Sequence, residues 1–159
     1  MRFPTPYDRF EGEVRPEWID LNGHMNLAYY TVLFDYATDL LFDELDLGRR
    51  YRERTDLGTF VIETHNRYER ELLVGERVRV TVQILSVDDK RLHLAHEMFR
   101  GDTGERAATQ ELLFLHVSLR ERRVTPFPAE LKARLDAAAA AHAVLGRPAW
   151  VGRHVGMPR

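Results

Sequence analysis

Cysteine is absent from the 159-residue sequence. Disulfides, thiolate-ligated zinc and thiol nucleophiles are excluded with it, and a reducing compartment, the cytoplasm, suits such a chain. No stretch of about 18 apolar residues occurs, so no membrane-spanning helix is expected. The opening "MRFPTPYDRFEGEV" lacks the apolar centre of a secretory signal. Excess positive charge is missing too. The formal net charge is −2, which offers no global field for nucleic acid. A helical histidine pair of the metalloprotease kind is also lacking. His93 and His96 stand three apart in a strand-like run and so point opposite ways, and His116 lies in another run, so no metal site is expected.

What remains is an ordinary globular composition, 44% hydrophobic and 30% charged. The length suits one domain and suffices for a buried core. Residues 8–17 read as a short strand, broken at Pro16. From Asn26 to Leu47 the period becomes helical: Leu27, Tyr30, Phe34, Ala37, Leu41 and Leu45 form one stripe, widened by Leu33, Leu40 and Phe42. Asp35, Asp39, Asp43 and Asp46 lie off it. Gly48 stops the helix, and residues 49–57 form a charged connection with room for a short helical turn. Strand patterns follow over 59–70, 76–87, 91–99 and 106–119, joined mostly by tight turns, with a phase slip at Ile84-Leu85 that predicts a bulge. A final alanine-rich helix runs from "TPFPAE" to about Gly146. Its alanines favour helix but pack little, so it reads as peripheral. Tight turns imply antiparallel neighbours. One long apolar helix with one such sheet implies an α+β domain in which five antiparallel strands wrap around the helix. Residues 1–124 form that domain, and 125–159 form its C-terminal helical extension.

The stretch "WIDLNGHMNLAYY" (18–30) fits none of these periods. Asp20, Asn22, His24 and Asn26 occupy alternate positions just before the most apolar helix. An Asn or Asp there is a good cap, worth about 1 kcal/mol. Asn22 reads as capping or turn formation, but Asp20, His24 and Asn26 together exceed what one cap requires.

The stretch "DLNGHMNLAYY" resembles the loop-and-helix signature of the hot-dog fold acyl-CoA thioesterases, the 4-hydroxybenzoyl-CoA thioesterase-like superfamily. That signature runs Asp, two or three residues, Gly-His, one residue, Asn, then an aromatic pair. Here these are Asp20, Gly23-His24, Asn26 and Tyr29-Tyr30. "HNRYERELLVGERVRV" is similar to the family's second and third strands. "RPEWIDLNGHMNLAYY", "DKRLHLAHEM" and "LHVSLRERRVTPFP" are similar to the thioesterases encoded with carnitine and betaine breakdown. The resemblance covers roughly residues 8–120. It implies hydrolysis of an acyl-CoA thioester to free acid and coenzyme A, with no cofactor beyond the coenzyme A of the substrate. A base or nucleophile is needed near the carbonyl carbon, together with a donor for the developing oxyanion. Asp20 suits the first role, either attacking directly or activating water. Backbone N–H groups around His24 to Leu27, at the positive end of the helix, suit the second. His24 can orient Asp20, polarise the carbonyl or protonate the leaving thiol, and Asn26 can donate to the carbonyl or hold a water.

The expected substrate-binding residues are Trp18, Asn22, Tyr29, Tyr30, Glu63 and His65. Trp18 or Tyr30 would hold a quaternary ammonium by cation–π attraction, roughly 0.5–2 kcal/mol each. Glu63 and His65 share one face of a strand, read either as lining the acyl pocket or as a solvent-facing pair beside Arg67. Lys90, Arg91, Arg120, Arg122 and Arg123, at strand ends, are candidates for the coenzyme A phosphates. By the same resemblance the chain self-associates through an edge strand, as a homodimer or a dimer of dimers. Two other readings compete: a hot-dog enoyl-CoA hydratase and a non-catalytic acyl-CoA-binding domain. The hydratase pattern, Asp-x-Asn-Pro-x-His, is one residue longer than "DLNGH" and needs a proline. A sensor would need an effector, for which only residues 125–159 remain.

Overall fold

Alternation of apolar residues builds the sheet, and a 3.6-residue stripe builds the helix it encloses. The computed structural model describes residues 3–157. Its elements are β1 (Tyr7–Glu13), α1 (Leu27–Glu44), α2 (Arg49–Thr55), β2 (Leu57–Tyr68), β3 (Arg77–Val87), β4 (Arg91–Arg100), β5 (Arg106–Ser118), β6 (Arg123–Val124) and α3 (Ala129–His142). Five strands run in the order β1-β3-β4-β5-β2, every pair antiparallel, and β6 adds two residues beside the end of β5. This is the α+β hot-dog arrangement with an extra C-terminal helix. Among the described residues no helix is long and apolar enough to cross a membrane.

Leu33, Phe34, Ala37 and Leu41 of α1 are buried against Val78, Val80 and Val82 of β3 and Leu92, Leu94 and Met98 of β4. The helix ends at Glu44 rather than Leu47. The chain turns there: Asp46 takes φ 57, and the Leu47 N–H donates to the Phe42 carbonyl at 2.8 Å. The predicted bulge lies between Ile84 and Ser86, where the β3–β4 register slips. α3 corrects the peripheral reading. Its Leu131, Leu135 and Ala138 are part of the core. β1 begins at Tyr7, opposite Val82, and past that point along β3 the Ile84 N–H donates to His142 Nδ1 of α3 at 2.8 Å. The other nitrogen of that ring donates to the Pro4 carbonyl at 2.8 Å. A strand's unmet donor, not alanine packing, fixes where this helix docks.

β2 bonds only to β5, so it is one edge of the sheet, as β1 is the other. Phe60, Val61 and Ile62 in its middle are 46%, 45% and 52% exposed. At the opposite end from the α1 N-terminus, α2 is pinned by buried Tyr51, whose hydroxyl donates to His116 Nε2 at 2.9 Å while His116 Nδ1–H donates to the Thr125 carbonyl at 2.8 Å.

Three histidines are therefore structural and buried. His96, fully enclosed, meets Thr38 Oγ1 at 3.0 Å through Nε2, and its Nδ1 has no partner among the described residues. Burial pushes His96 down to about 3 and lowers His116 and His142. A histidine whose folded value lies below its unfolded one supports the fold above the unfolded value and loses that support as pH falls through it. Thermal melts should therefore show Tm falling as pH drops from about 7 to about 5, a slope that His96→Gln makes shallower. An equal slope in the variant would remove His96 as a contributor.

Candidate active site

The loop before α1 is held by its own polar groups. The Asp20 N–H donates to the His24 carbonyl and the Gly23 N–H to the Asp20 carbonyl, each at 3.0 Å. Gly23 takes φ 81, a left-handed conformation that glycine adopts without strain. The Met25 N–H donates to the Leu72 carbonyl at 2.7 Å, tying the loop to the β2–β3 connection, and the Asn26 N–H donates to the Trp18 carbonyl at 2.9 Å.

Asp20 stands at the centre of these contacts, half-buried. Its Oδ1 accepts the Asn22 N–H at 2.8 Å, and its Oδ2 accepts from Asn26 Nδ2 at 3.3 Å. Asn26 Oδ1 in turn accepts the Ala28 N–H at 3.0 Å and caps α1. One amide thus links the carboxylate to the positive end of the helix. Of the amides from His24 to Leu27, those of Met25 and Asn26 are already used, and those of His24 and Leu27 have no partner among the described residues. His24 Nδ1 lies 3.2 Å from the Met25 carbonyl.

A cavity of about 380 Å³ opens beside the helix start, lined by His24, Met25, Leu27, Tyr30, Tyr68 and Arg70 among others. Asp20 is not one of the residues that line it. The Tyr30 hydroxyl donates to the Arg70 carbonyl at 3.0 Å, its ring meets Tyr68 edge-on at 5.1 Å, and burial pushes its phenol up to about 12. Trp18 is buried, stacked on Tyr29 at 5.2 Å, with the Arg15 guanidinium 5.1 Å over its ring. Its faces are used within the loop. Asn22 is exposed at the turn.

Glu63 and His65 lie elsewhere. They line a cavity of about 350 Å³ with His93, Glu111 and His154. There His93 Nε2 meets Glu111 Oε1 at 2.7 Å, and Glu111 Oε2 accepts the Gly152 N–H at 2.6 Å. This is the sheet face turned away from α1. The cause is a bulge between Val61 and Glu63. Before it Thr59 and Val61 face α1; after it Asn66, bonded to Thr31 at 3.0 Å, and Tyr68 do. One extra residue moves Glu63 and His65 to the other side, so the pocket-lining reading is corrected.

Lys90, Arg91, Arg120, Arg122 and Arg123 lie at the α2 end. Arg91 pairs with Asp88 at 2.5 Å and Arg123 with Glu121, while Lys90, Arg120 and Arg122 have no carboxylate partner among the described residues. A third cavity, about 490 Å³, separates α1 from β2 at this end, walled by Asp35, Asp39 and Asp43, by Arg49 and Arg52, and by Phe42, Val61 and Phe114 among others. Burial raises the Asp35 carboxyl; burial, then the charges of Asp35 and Asp43, raises Asp39. The i, i+4, i+8 spacing of these aspartates placed them on one helix face, but nothing in the sequence said that a cavity faced them.

The profile of the Thioesterase-like superfamily matches residues 14–135. The betainyl-CoA thioesterase of Pseudomonas aeruginosa is 40% identical over 94% of this chain and 94% of its own length. The L-carnitine dehydrogenase/betainyl-CoA thioesterase of Rhizobium meliloti is 34% identical, covering 97% of this chain but only 31% of that larger protein. A hypothetical protein of Staphylococcus aureus, solved in complex with CoA, superposes with TM-score 0.88 at 26% identity, over 99% of this chain and all of that one. A candidate thioesterase of Pseudomonas putida KT2440 superposes with TM-score 0.82 at 32% identity, with the same coverage.

Proposed function

The chain belongs to the thioesterase-like superfamily and is a thioester hydrolase, and on that premise we propose that it hydrolyses betainyl-CoA, or another short acyl-CoA, in the cytoplasm, with Asp20 as base or nucleophile. The observation that supports the mechanism is the Asp20–Asn26–α1 linkage, which ties a carboxylate to the amide that caps the helix. The thioester carbonyl oxygen accepts from the Leu27 N–H as it gains charge. Asp20 takes a proton from a water that adds to the carbon, or adds to the carbon itself to give an anhydride that water then opens to the free acid, and the C–S bond breaks. His24, in the cavity wall, gives a proton to the departing thiolate.

The protein acts as a homodimer. A twelve-residue edge strand with three exposed apolar residues is a strand awaiting a partner, and a second copy supplies one antiparallel about a two-fold axis. The reading puts that axis at the exposed run, residues 60–64. The Tyr68 end of one β2, beside its own α1 N-terminus, then lies against the partner's Gly58 end. There the partner's Asp39 faces the thioester from the third cavity. Carboxylates crowded along one wall suit a trimethylammonium acyl group, and that choice of substrate is also what the betainyl-CoA thioesterase relatives suggest.

Both halves are testable. The raised Asp39 carboxyl costs stability while ionised. The sign follows: Asp39→Asn raises Tm near neutral pH, and the gain fades as pH falls through the ordinary carboxylate range. The same variant should cut the kcat/KM preference for betainyl-CoA over its uncharged isostere, tert-butylacetyl-CoA, by about tenfold. An unchanged preference would take Asp39 out of acyl recognition.

A further inference from the structure

Residues 146–154 cross the outer face of the sheet, the face turned away from α1, and their anchors step from strand to strand. Gln83 Nε2 of β3 donates to the Gly146 carbonyl at 2.7 Å. The buried Trp150 donates from Nε1 to Glu97 Oε1 of β4 at 3.1 Å, and the Gly152 N–H donates to Glu111 Oε2 of β5 at 2.6 Å. Arg153 and His154 then line the cavity of about 350 Å³ on that face together with Glu63 and His65 of β2. Gln83, Ala95, Glu111 and His65 stand opposite one another in successive strands. The segment therefore follows one row of the sheet and arrives at its β2 edge.

Past the last anchor the character changes. Val155 is 89% and Met157 92% exposed. Beside them on the edge strand, Phe60 is exposed too. It points to this same outer face, because its neighbour Val61 faces α1. Large apolar side chains left bare on an anchored segment and on the strand it reaches are the makings of a contact surface.

In the homodimer proposed above the sheet does not stop at β2. With the two-fold centred on the exposed run, at Ile62, the row that ends at His65 continues onto residues 59 and 60 of a second copy. His65 stands three residues from that axis, about 10 Å at the rise of a strand. The two symmetry-related segments thus pass on opposite sides of the axis without colliding. Three residues of extended chain span about 10 Å, and one strand spacing is about 4.8 Å, so residues 155–157 are long enough to reach across.

We infer that Val155 and Met157 of each protomer cross the seam and cover the partner's Phe60, so that two reciprocal segments clamp the dimer on its outer face. The inference rests on the dimer reading and adds to it. Edge pairing supplies backbone hydrogen bonds, and the crossing segments bury apolar surface that this pairing leaves bare.

The test is the double variant Val155→Ser/Met157→Ser, which leaves Trp150 and Gly152 in place. Each dimer loses four apolar contacts. Subunit exchange between isotope-labelled and unlabelled copies, followed by mass spectrometry, should quicken about tenfold or more, because interface losses appear mainly in dissociation. Turnover by the intact dimer should be unchanged. The absence of cysteine gives a second readout. Copies carrying Met157→Cys are paired with copies carrying Phe60→Cys through two different tags, and a short bismaleimide should join the two chains. An unchanged exchange rate overturns the inference while the dimer stands, and so do chains that the reagent fails to join. So does a double variant that splits tetramers into dimers yet exchanges subunits at the native rate, since the segment would then lie between dimers. If the unmodified protein sediments as a monomer at every concentration, the dimer reading falls and takes the inference with it.

Discussion

Asp20→Asn should lower kcat for betainyl-CoA by about 100- to 10,000-fold, the range expected for losing a positioned base. The substitution is close to isosteric, and the amide oxygen still accepts the Asn22 N–H. The other oxygen becomes a donor, however, and it then faces the Asn26 amide donor that Oδ2 accepts today at 3.3 Å. Asn26 must turn or lose that bond, and if it turns it gives up the cap on the Ala28 N–H. A lost cap is worth about 1 kcal/mol, or about 2–4 °C in Tm for a chain of this size. Thermal melts and steady-state kinetics on the same sample therefore separate the two effects, a small change in stability and a large one in rate. Near-native turnover would remove Asp20 from the reaction.

Phe34→Ala should cost about 3–5 kcal/mol of stability, a large share of the 5–15 kcal/mol typical of a domain. Phe34 is 0% exposed at the middle of α1 and belongs to the main hydrophobic core. Its ring lies 5.4 Å from the His96 ring, and its carbonyl accepts the Thr38 hydroxyl at 3.1 Å. Truncation leaves a cavity beside an imidazole that already lacks one partner, so collapse around it is poor. Urea unfolding gives the value through the shift in midpoint at constant m. A loss below about 1 kcal/mol would mean that the helix is not the centre of the core.

The frame was legible in the sequence because it rests on period. The α1 stripe, the β3 alternation through Val78, Val80 and Val82 and the slip after Ile84 all appear where the residues placed them. The loop cluster was legible because Asp20, Asn26 and the helix start are near neighbours in the chain. Features that depend on contacts between distant segments were not. The bulge at Ile62 has no composition signal, and it alone moves Glu63 and His65 to the outer face. α3 looked peripheral because its alanines say little, yet Leu131, Leu135 and a histidine bonded to β3 bury it. The cavity behind Asp35, Asp39 and Asp43 exists only because β2 stands off from α1, a distance that no local pattern encodes.

The same limit bears on Asp20. Its bonds to Asn22 and Asn26 are local and firm, but on the proposed dimer reading the wall opposite it comes from a second copy. Glu63 no longer competes for the acyl pocket, and Trp18 is occupied by Tyr29 and Arg15. This is why the proposed function assigns recognition of a cationic acyl group to the carboxylates of a second copy.

The most direct measurement is thiol release when the purified protein is mixed with betainyl-CoA, followed with a thiol-reactive dye beside an Asp20→Asn control. The account predicts saturable release, one thiol for each thioester consumed, that is nearly lost in the control. Absence of release with the unmodified protein, or equal release from both, would contradict it.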